Sequence, residues 1–185
     1  MDNPRVTLLL DLIDQGYDHD SWHGPNLLGS IRRVGEVEAA WRPGPTLHNV
    51  WEIVVHAAYW KYVVWRRLTG AVKGGFPRKG SDFIERPGGK NPESWKEDAA
   101  LLGRIHADMR AAIAVLSDAD LAFTPEGSQV SNGKLASGVA HHDVYHAGQI
   151  QTIRQAYKAA HPTKNRSTGD SKSPLAKVKS TSVDS

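Results

Sequence analysis

The chain has 185 residues, of which 39% are hydrophobic, and no stretch approaches the ~18 consecutive apolar residues of a transmembrane helix. It contains no cysteine, which excludes a thiolate zinc cluster, a disulfide framework and a cysteine nucleophile. The formal net charge of +3 comes from the end of the chain, because residues 1–159 hold 18 basic and 18 acidic side chains. A neutral body of this kind argues against nucleic-acid binding by the folded part.

The composition divides the chain into one folded domain, residues 1–159, and a tail, residues 160–185. The tail is rich in Ser, Thr and Lys and has no aromatic residue, so it cannot bury enough apolar surface to fold, and we expect it to be disordered. At the N-terminus an acidic residue precedes a short apolar run, and no small-residue cleavage site follows. We therefore expect no secretory signal, no membrane association and a cytoplasmic location.

The first third of the chain predicts two helices and a turn. Residues 6–13 form a short apolar run, and residues 18–34 predict a second helix that is interrupted or restarted at Gly24-Pro25. Residues 41–46, with the sequence WRPGPT, have the composition of a turn.

A long helix is expected to begin at Asn49 and to end near Thr69-Gly70. Asn49 is a good N-cap, and Glu52 three residues later completes the pattern of a capping box. The following residues 70–92 are rich in glycine and proline, which predicts a long loop. Loops of this length in compact domains are usually functional or mobile.

The second half of the chain predicts two more long helices. Apolar residues recur at steps of three and four after a start signal at Asn91-Pro92 and continue to Leu116. Residues 118–134 are expected to form a loop, with weak strand alternation near 121–131, and the last helix covers residues 135–157. The simplest architecture is an all-α four-helix bundle with long connecting loops.

Three histidines lie within six residues of the last helix, in the sequence HHDVYH. His142 and His146 fall on the apolar stripe, one turn apart, whereas His141 points roughly 100° away. Two buried imidazoles are costly unless their ring nitrogens are satisfied. The i,i+4 spacing allows both to bind one metal ion, and the alternative is a hydrogen-bonded pair in the core.

A third ligand is expected from the long helix that begins at Asn49. His56 lies there among valines and alanines, and Glu52 lies one turn before it on the same face. Besides its capping role, Glu52 could accept a hydrogen bond from a ligand histidine, bind the metal or act as a general base. A lone histidine among valines is otherwise a satisfied core residue.

Other histidines and aromatic residues predict less. His19 and His23 form a second pair with i,i+4 spacing, but their polar neighbours favour a surface position; His23 could still line the mouth of a pocket. The aromatic residues of the long helix fall on several faces, as core or dimer-interface residues do. Among them, Trp60 is a candidate for lining a pocket.

The sequences EIVVHAAYW and HDVYHAGQ, preceded by WRPGPT-x-HN, resemble the DinB/YfiT-like family over roughly residues 20 to 157. The resemblance implies a four-helix bundle, often dimeric, that binds zinc or nickel through three histidines. By position these are His56, His142 and His146. Gln149 matches the family's glutamine and would hold a metal-bound water or a ligand histidine.

Three histidine ligands leave coordination positions open, as in catalytic sites, and water bound there ionises at a pKa of roughly 7. The first hypothesis is a metal-dependent hydrolase acting on an ester or amide of an unidentified small molecule, with Glu52 or a nearby carboxylate moving the proton. The second is an S-transferase or isomerase that uses an external low-molecular-weight thiol, because the chain has no cysteine of its own. The third is a metal-binding stress protein without catalysis.

Overall fold

The computed structural model describes residues 3–80, 82–86 and 92–162. This part of the chain contains seven α-helices and no strand, with bounds α1 (Pro4–Tyr17), α2 (Leu27–Ile31), α3 (Glu36–Ala40), α4 (Val50–Thr69), α5 (Pro92–Ala114), α6 (Asp118–Ala122) and α7 (Asn132–Ala160). The four long helices pack in a ring in which α1 and α4 each contact both α5 and α7. The predicted all-α four-helix bundle is confirmed.

The first helix is longer than the predicted residues 6–13. The side chain of Asn3 accepts hydrogen bonds from the backbone N–H groups of Arg5 and Val6, and Pro4 occupies the first turn, where its missing N–H costs nothing. The helix then continues to Tyr17, whose ring is buried. The signal missed in the sequence was the Asn-Pro start, which lies before the apolar run.

The helix predicted over residues 18–34, with an interruption or restart at Gly24-Pro25, is present only after that point, because Leu27–Ile31 alone is helical there. Residues 18–26 are not helical, with Gly24 at a φ of +97°, and the side chain of Asn26 begins α2 by accepting a hydrogen bond from Gly29 N at 2.7 Å. The Asn26 amide also donates to the carbonyl oxygen of His19 at 2.8 Å and so secures the loop. The short helix α3 was not predicted.

The long helix α4 has the predicted ends. Asn49 and Glu52 form both hydrogen bonds of a capping box, and Gly70 ends the helix in the left-handed conformation, with a φ of 72°. The predicted start of α5 at Asn91 lies outside the described residues. That helix ends at Ala114, two residues before the predicted end.

The region predicted as a loop over residues 118–134 contains a short helix, α6. Ser117 and Asp120 form a capping box that begins this helix, so a local side-chain signal overrode the loop-like composition. Ser131 then caps α7, which begins at Asn132 rather than at Leu135 and extends to Ala160. The described residues contain no strand near 121–131, and the tail beyond residue 162 lies outside them.

The interior of the bundle contains two apolar clusters with polar side chains between them. One cluster includes Leu27, Val54 and Leu102, and the other includes Ile13, Met109 and Val139. The four long helices each contribute one residue to what we call the polar layer, which consists of Tyr17, Lys61, His106 and Asp143, each less than 9% exposed. Within the described ranges, every helix is too short or too polar to cross a bilayer.

Candidate metal centre

Helix α7 presents two of its histidines to the interior of the bundle. His146 is 3% exposed and His142 is half-buried, whereas His141 is exposed. The inward pair predicted from the apolar stripe is therefore present. Because the two residues are one turn apart, their rings meet edge to face, with centroids 4.3 Å apart.

His56 of α4 completes a group of three imidazoles. Its Nε2 lies 3.1 Å from Nε2 of His142, and the latter lies 3.0 Å from Nε2 of His146. One ring nitrogen from each residue can be chosen so that all three lie within 4.8 Å of one another. We call these residues the three-histidine group. Its members come from two helices, and His56 and His142 are 86 residues apart in the chain.

Burial keeps the three rings neutral near pH 7. It lowers the pKa of His142 to about 3, helped by the neighbouring His146 and His56, and lowers that of His146 to about 4, opposed in part by the hydrogen bond to Gln149. The pKa of His56 is also lowered by burial, against the opposing charge of Asp82. Neutral imidazoles have the free lone pairs that a metal ion requires.

The hydrogen bonds of the group indicate that a cation fits between the rings. Nδ1 of His146 lies 2.7 Å from Oε1 of Gln149, an acceptor, so Nδ1 carries the proton and Nε2 presents its lone pair. The Gln149 amide is oriented in turn by donating to the hydroxyl of Tyr145 at 3.1 Å. His142 Nε2 faces two other Nε2 atoms and has at most one proton to share. At least one buried lone pair is thus left for an ion.

The loop segment 82–86 covers His56 and was not identified as part of the site from the sequence. The Asp82 carboxylate accepts a hydrogen bond from Trp60 Nε1 at 2.9 Å and lies 3.1 Å from His56 Nδ1, outside the angular geometry of a hydrogen bond. Phe83 is stacked between two imidazoles, at 3.8 Å from His56 and 3.7 Å from His48. This loop therefore fixes the orientation of the His56 ring.

Glu52 anchors the same loop and is not a member of the three-histidine group. Its carboxylate forms an ion pair with Arg42, accepts a hydrogen bond from the backbone N–H of Arg86 at 3.0 Å and lies 3.1 Å from His48 Nδ1. Burial alone would raise the pKa of Glu52, but these hydrogen bonds outweigh it and lower the pKa. The carboxylate is therefore ionised, and its hydrogen bonds connect the start of α4 to the loop.

Of the remaining predicted site residues, Trp60 and Gln149 contact the three-histidine group, and His23 lies on the surface. Trp60 packs edge to face on His56, with centroids 6.4 Å apart, and lines a cavity of about 250 Å³ together with His142. A second cavity, of about 580 Å³, is bordered by Phe83 and Gln149. His23 is exposed and contributes no ligand atom to the three-histidine group.

Comparison with known proteins gives one match. A sequence model described as the DinB superfamily matches residues 21–150, which is more than half of the chain and includes all three histidines. Neither the curated proteins nor the solved structures contain a significant match.

Proposed function

The chain belongs to the DinB superfamily, and we propose that it binds one divalent metal ion, zinc or nickel, and hydrolyses an ester or amide bond of a small molecule. The observation that carries the proposal is the approach of His56 Nε2 and His146 Nε2 to within 3.1 and 3.0 Å of His142 Nε2, in a group of three neutral imidazoles. The ligands are His56, His142 and His146. A set of three histidines with open positions is typical of catalytic rather than structural sites.

When bound, the ion supplies Lewis acidity and lowers the pKa of a coordinated water. The chain's own residues orient the ligands and handle the proton. Gln149 holds the His146 ring through Nδ1, and Asp82 with Phe83 holds the His56 ring. We assign proton transfer to the Asp82 carboxylate rather than to Glu52, because Oε1 of Glu52 is engaged by Arg42 and Arg86 and its Oε2 by the backbone N–H of Asn49.

The cavity beside His142 favours a substrate that carries a small, largely apolar group. Its wall includes Trp60, Val64, Leu135 and Val139, and its volume of about 250 Å³ matches that of roughly eight liquid waters. A substrate group held there would lie against the His142 ring. The neighbouring backbone at Gly138 has no atom within 4 Å of the position where a Cβ would stand, so this side of the cavity is open.

The proposal is tested with chromogenic esters and anilides, using protein loaded with zinc or nickel. We expect turnover in the wild type and in His141→Ala, and its loss in His142→Ala. Asp82→Asn tests the proton transfer: kcat should fall while KM and bound metal are retained. Unchanged kcat in this variant would contradict the role of Asp82 and leave the metal site intact.

A thiol-dependent S-transferase or isomerase is the second candidate. One cavity is lined by His142, and a second is lined by Gln149 and Phe83, which contact His146 and His56. Two such cavities favour a reaction between two substrates. The discriminating assay supplies a haloarene with and without a low-molecular-weight thiol. Conjugation that requires the thiol supports the transferase. Bound metal without turnover in either assay supports a non-catalytic metal-binding stress protein.

We further propose that the chain forms a homodimer and acts in the cytoplasm. Leu8 and Leu12, 58% and 37% exposed, lie one turn apart on α1 and provide an apolar surface for a second copy. Light scattering during size-exclusion chromatography should give twice the chain mass, and Leu8→Lys should reduce it to a single chain.

A further inference from the structure

A third cavity, of about 630 Å³, lies between the end of α4 and the loop that follows it. Its wall combines four basic side chains with aromatic rings and includes Arg66, Lys73, Arg78, Lys79, Tyr59 and Phe76. No carboxylate belongs to this wall, and neither do the three histidines. The cavity is thus a separate candidate site with its own chemistry.

The positive charge is concentrated here although residues 1–159 are neutral as a whole. Residues 66–80 contain five Lys or Arg and no acidic residue. The guanidinium of Arg78 is already paired, since its Nε lies 2.6 Å from Oδ1 of Asp98. Within the part of the chain that the structure describes, Arg66, Lys73 and Lys79 have no ion-pair partner. Three cations with no counter-charge favour a ligand with several negative charges.

The aromatic part of the wall is held in place by the loop. Phe76 packs edge to face on Tyr59, with centroids 5.3 Å apart, and also contacts the ring of Tyr62 at 5.6 Å. The Tyr62 hydroxyl accepts a hydrogen bond from Gly75 N at 3.0 Å and donates one to the Val72 carbonyl at 3.3 Å. These contacts form a pre-organised apolar surface beside the cations, which suits a planar ring.

From this arrangement we propose that the cavity binds a small molecule in which a planar aromatic ring carries two or more phosphate groups, as a nucleoside diphosphate or triphosphate does. The phosphates lie against Arg66, Lys73 and Lys79, and the ring lies against Tyr59 and Phe76. Lysine and arginine bind phosphate through charge-assisted hydrogen bonds, and aromatic side chains stack on bases of any sequence. A volume of about 630 Å³ is within the usual range for such ligands. The site is independent of the proposed hydrolase.

The test is isothermal titration of the full-length protein in magnesium-free buffer with ATP, adenosine and inorganic tripolyphosphate. The double variant Lys73→Gln/Lys79→Gln removes two cations of the cavity. Its matched control, Lys177→Gln/Lys179→Gln, removes the same charge from the tail. Tyr59→Leu removes the ring surface at similar volume, and His142→Ala removes any contribution of a metal ion to nucleotide binding.

We expect saturable binding of ATP, tighter than that of tripolyphosphate or adenosine. The cavity double variant should weaken it by about tenfold or more, while the tail variant and His142→Ala change it by less than about twofold. Tyr59→Leu should weaken ATP but not tripolyphosphate. Absence of saturable binding, or equal losses in the cavity and tail variants, overturns the proposal. So does loss of ATP binding in His142→Ala, because the nucleotide would then be bound through metal.

Discussion

Two groups of buried polar side chains meet on α7, and they differ in how their members are paired. His142 and His146 face His56, and their ring nitrogens point at one another. Asp143, next to His142 in the chain, faces the polar layer instead, where it forms an ion pair with Lys61; both side chains are 0% exposed. Two adjacent residues of α7 therefore belong to different groups: His142 to a cluster of neutral imidazoles and Asp143 to an ion pair.

The polar layer balances its charges internally, although Oδ1 of Asp143 and Nδ1 of His106 have no hydrogen-bond partner among the described residues. The ammonium of Lys61 lies 5.1 Å from the centroid of the Tyr17 ring, and His106 stacks on the same ring at 3.5 Å. Burial, and then the charge of Asp143, raise the pKa of Tyr17, so its hydroxyl stays neutral. Burial, and then the charge of Lys61, lower the pKa of His106 to about 2, so its ring stays neutral as well. The charge of the layer is therefore confined to the Lys61–Asp143 pair, in which burial raises the pKa of Asp143 and the contact with Lys61 opposes that rise.

The difference shows which buried polar group calls for a ligand. A buried cation and anion in contact neutralise each other, and their role is structural. Three neutral imidazoles whose Nε2 atoms converge leave at least one buried lone pair without a proton, and this lone pair is available to a cation. We therefore expect changes in the polar layer to alter stability and changes in the three-histidine group to alter metal binding.

The largest expected effect is that of Lys61→Met. It leaves the Asp143 carboxylate buried without a partner and should lower the free energy of unfolding by about 3–5 kcal/mol. Urea denaturation measures this change. The double variant Lys61→Met/Asp143→Leu removes both charges and should recover most of the loss, whereas Lys158→Met on the exposed end of α7 should stay within about 0.5 kcal/mol of the wild type.

A single variant that loses less than about 1 kcal/mol would contradict the structural role of the ion pair. The same holds for a double variant that is less stable than Lys61→Met alone.

The next effect is the contribution of His106 to the pH dependence of stability. Its pKa is lowered to about 2 in the folded state, from an ordinary value of 6.5. The unfolded chain therefore binds an extra proton between these values. The contribution of the His106 ring to the free energy of unfolding is complete above pH 6.5. It is lost as the pH falls below 6.5, by up to about 1.4 kcal/mol per pH unit. His106→Phe should remove this part of the slope.

Urea denaturation of the wild type and His106→Phe at pH 7, 6 and 5 gives the comparison. The stability of the variant relative to the wild type should increase from pH 7 to pH 5. A constant difference would show that the His106 ring titrates normally in the folded state.

A smaller effect is expected for Gln149→Ala. The carboxamide oxygen that fixes the His146 ring is lost, and metal affinity should fall by about 10- to 100-fold. Competition with a chromogenic chelator measures the affinity. Gln155→Ala, on an exposed face of the same helix, is the matched control and should leave it unchanged. Equal affinities in both variants would contradict the orienting role of Gln149.

The sequence predicts the three-histidine group because helical periodicity determines which residues share a face. His142 and His146 lie on the apolar stripe of α7, and Gln149 follows one turn later. Periodicity does not report on loops, and for that reason Asp82 and Phe83 could be found only from the structure. Residues 70–92 were expected to form a functional loop, but nothing in their composition indicates which side chains reach His56.

The polar layer was also missed, although a signal for it exists. Lys61 lies on the buried stripe of α4 between Ala57 and Val64, and Asp143 lies on that of α7 between Val139 and Ile150. Opposite charges at core positions of two helices indicate a buried ion pair.

The capping role of Glu52 was one of two predictions for that residue, and the hydrogen bonds of the capping box are present.

The most direct test of the three-histidine group is the metal content of the purified protein, measured by plasma mass spectrometry after loading with zinc or nickel and desalting. The wild type and His141→Ala should each retain one ion per chain, whereas His56→Ala, His142→Ala and His146→Ala should each lose it without unfolding. If the three ligand variants retain the ion as His141→Ala does, or if the wild type binds none, the imidazoles are packing residues and the proposed enzyme has no metal centre.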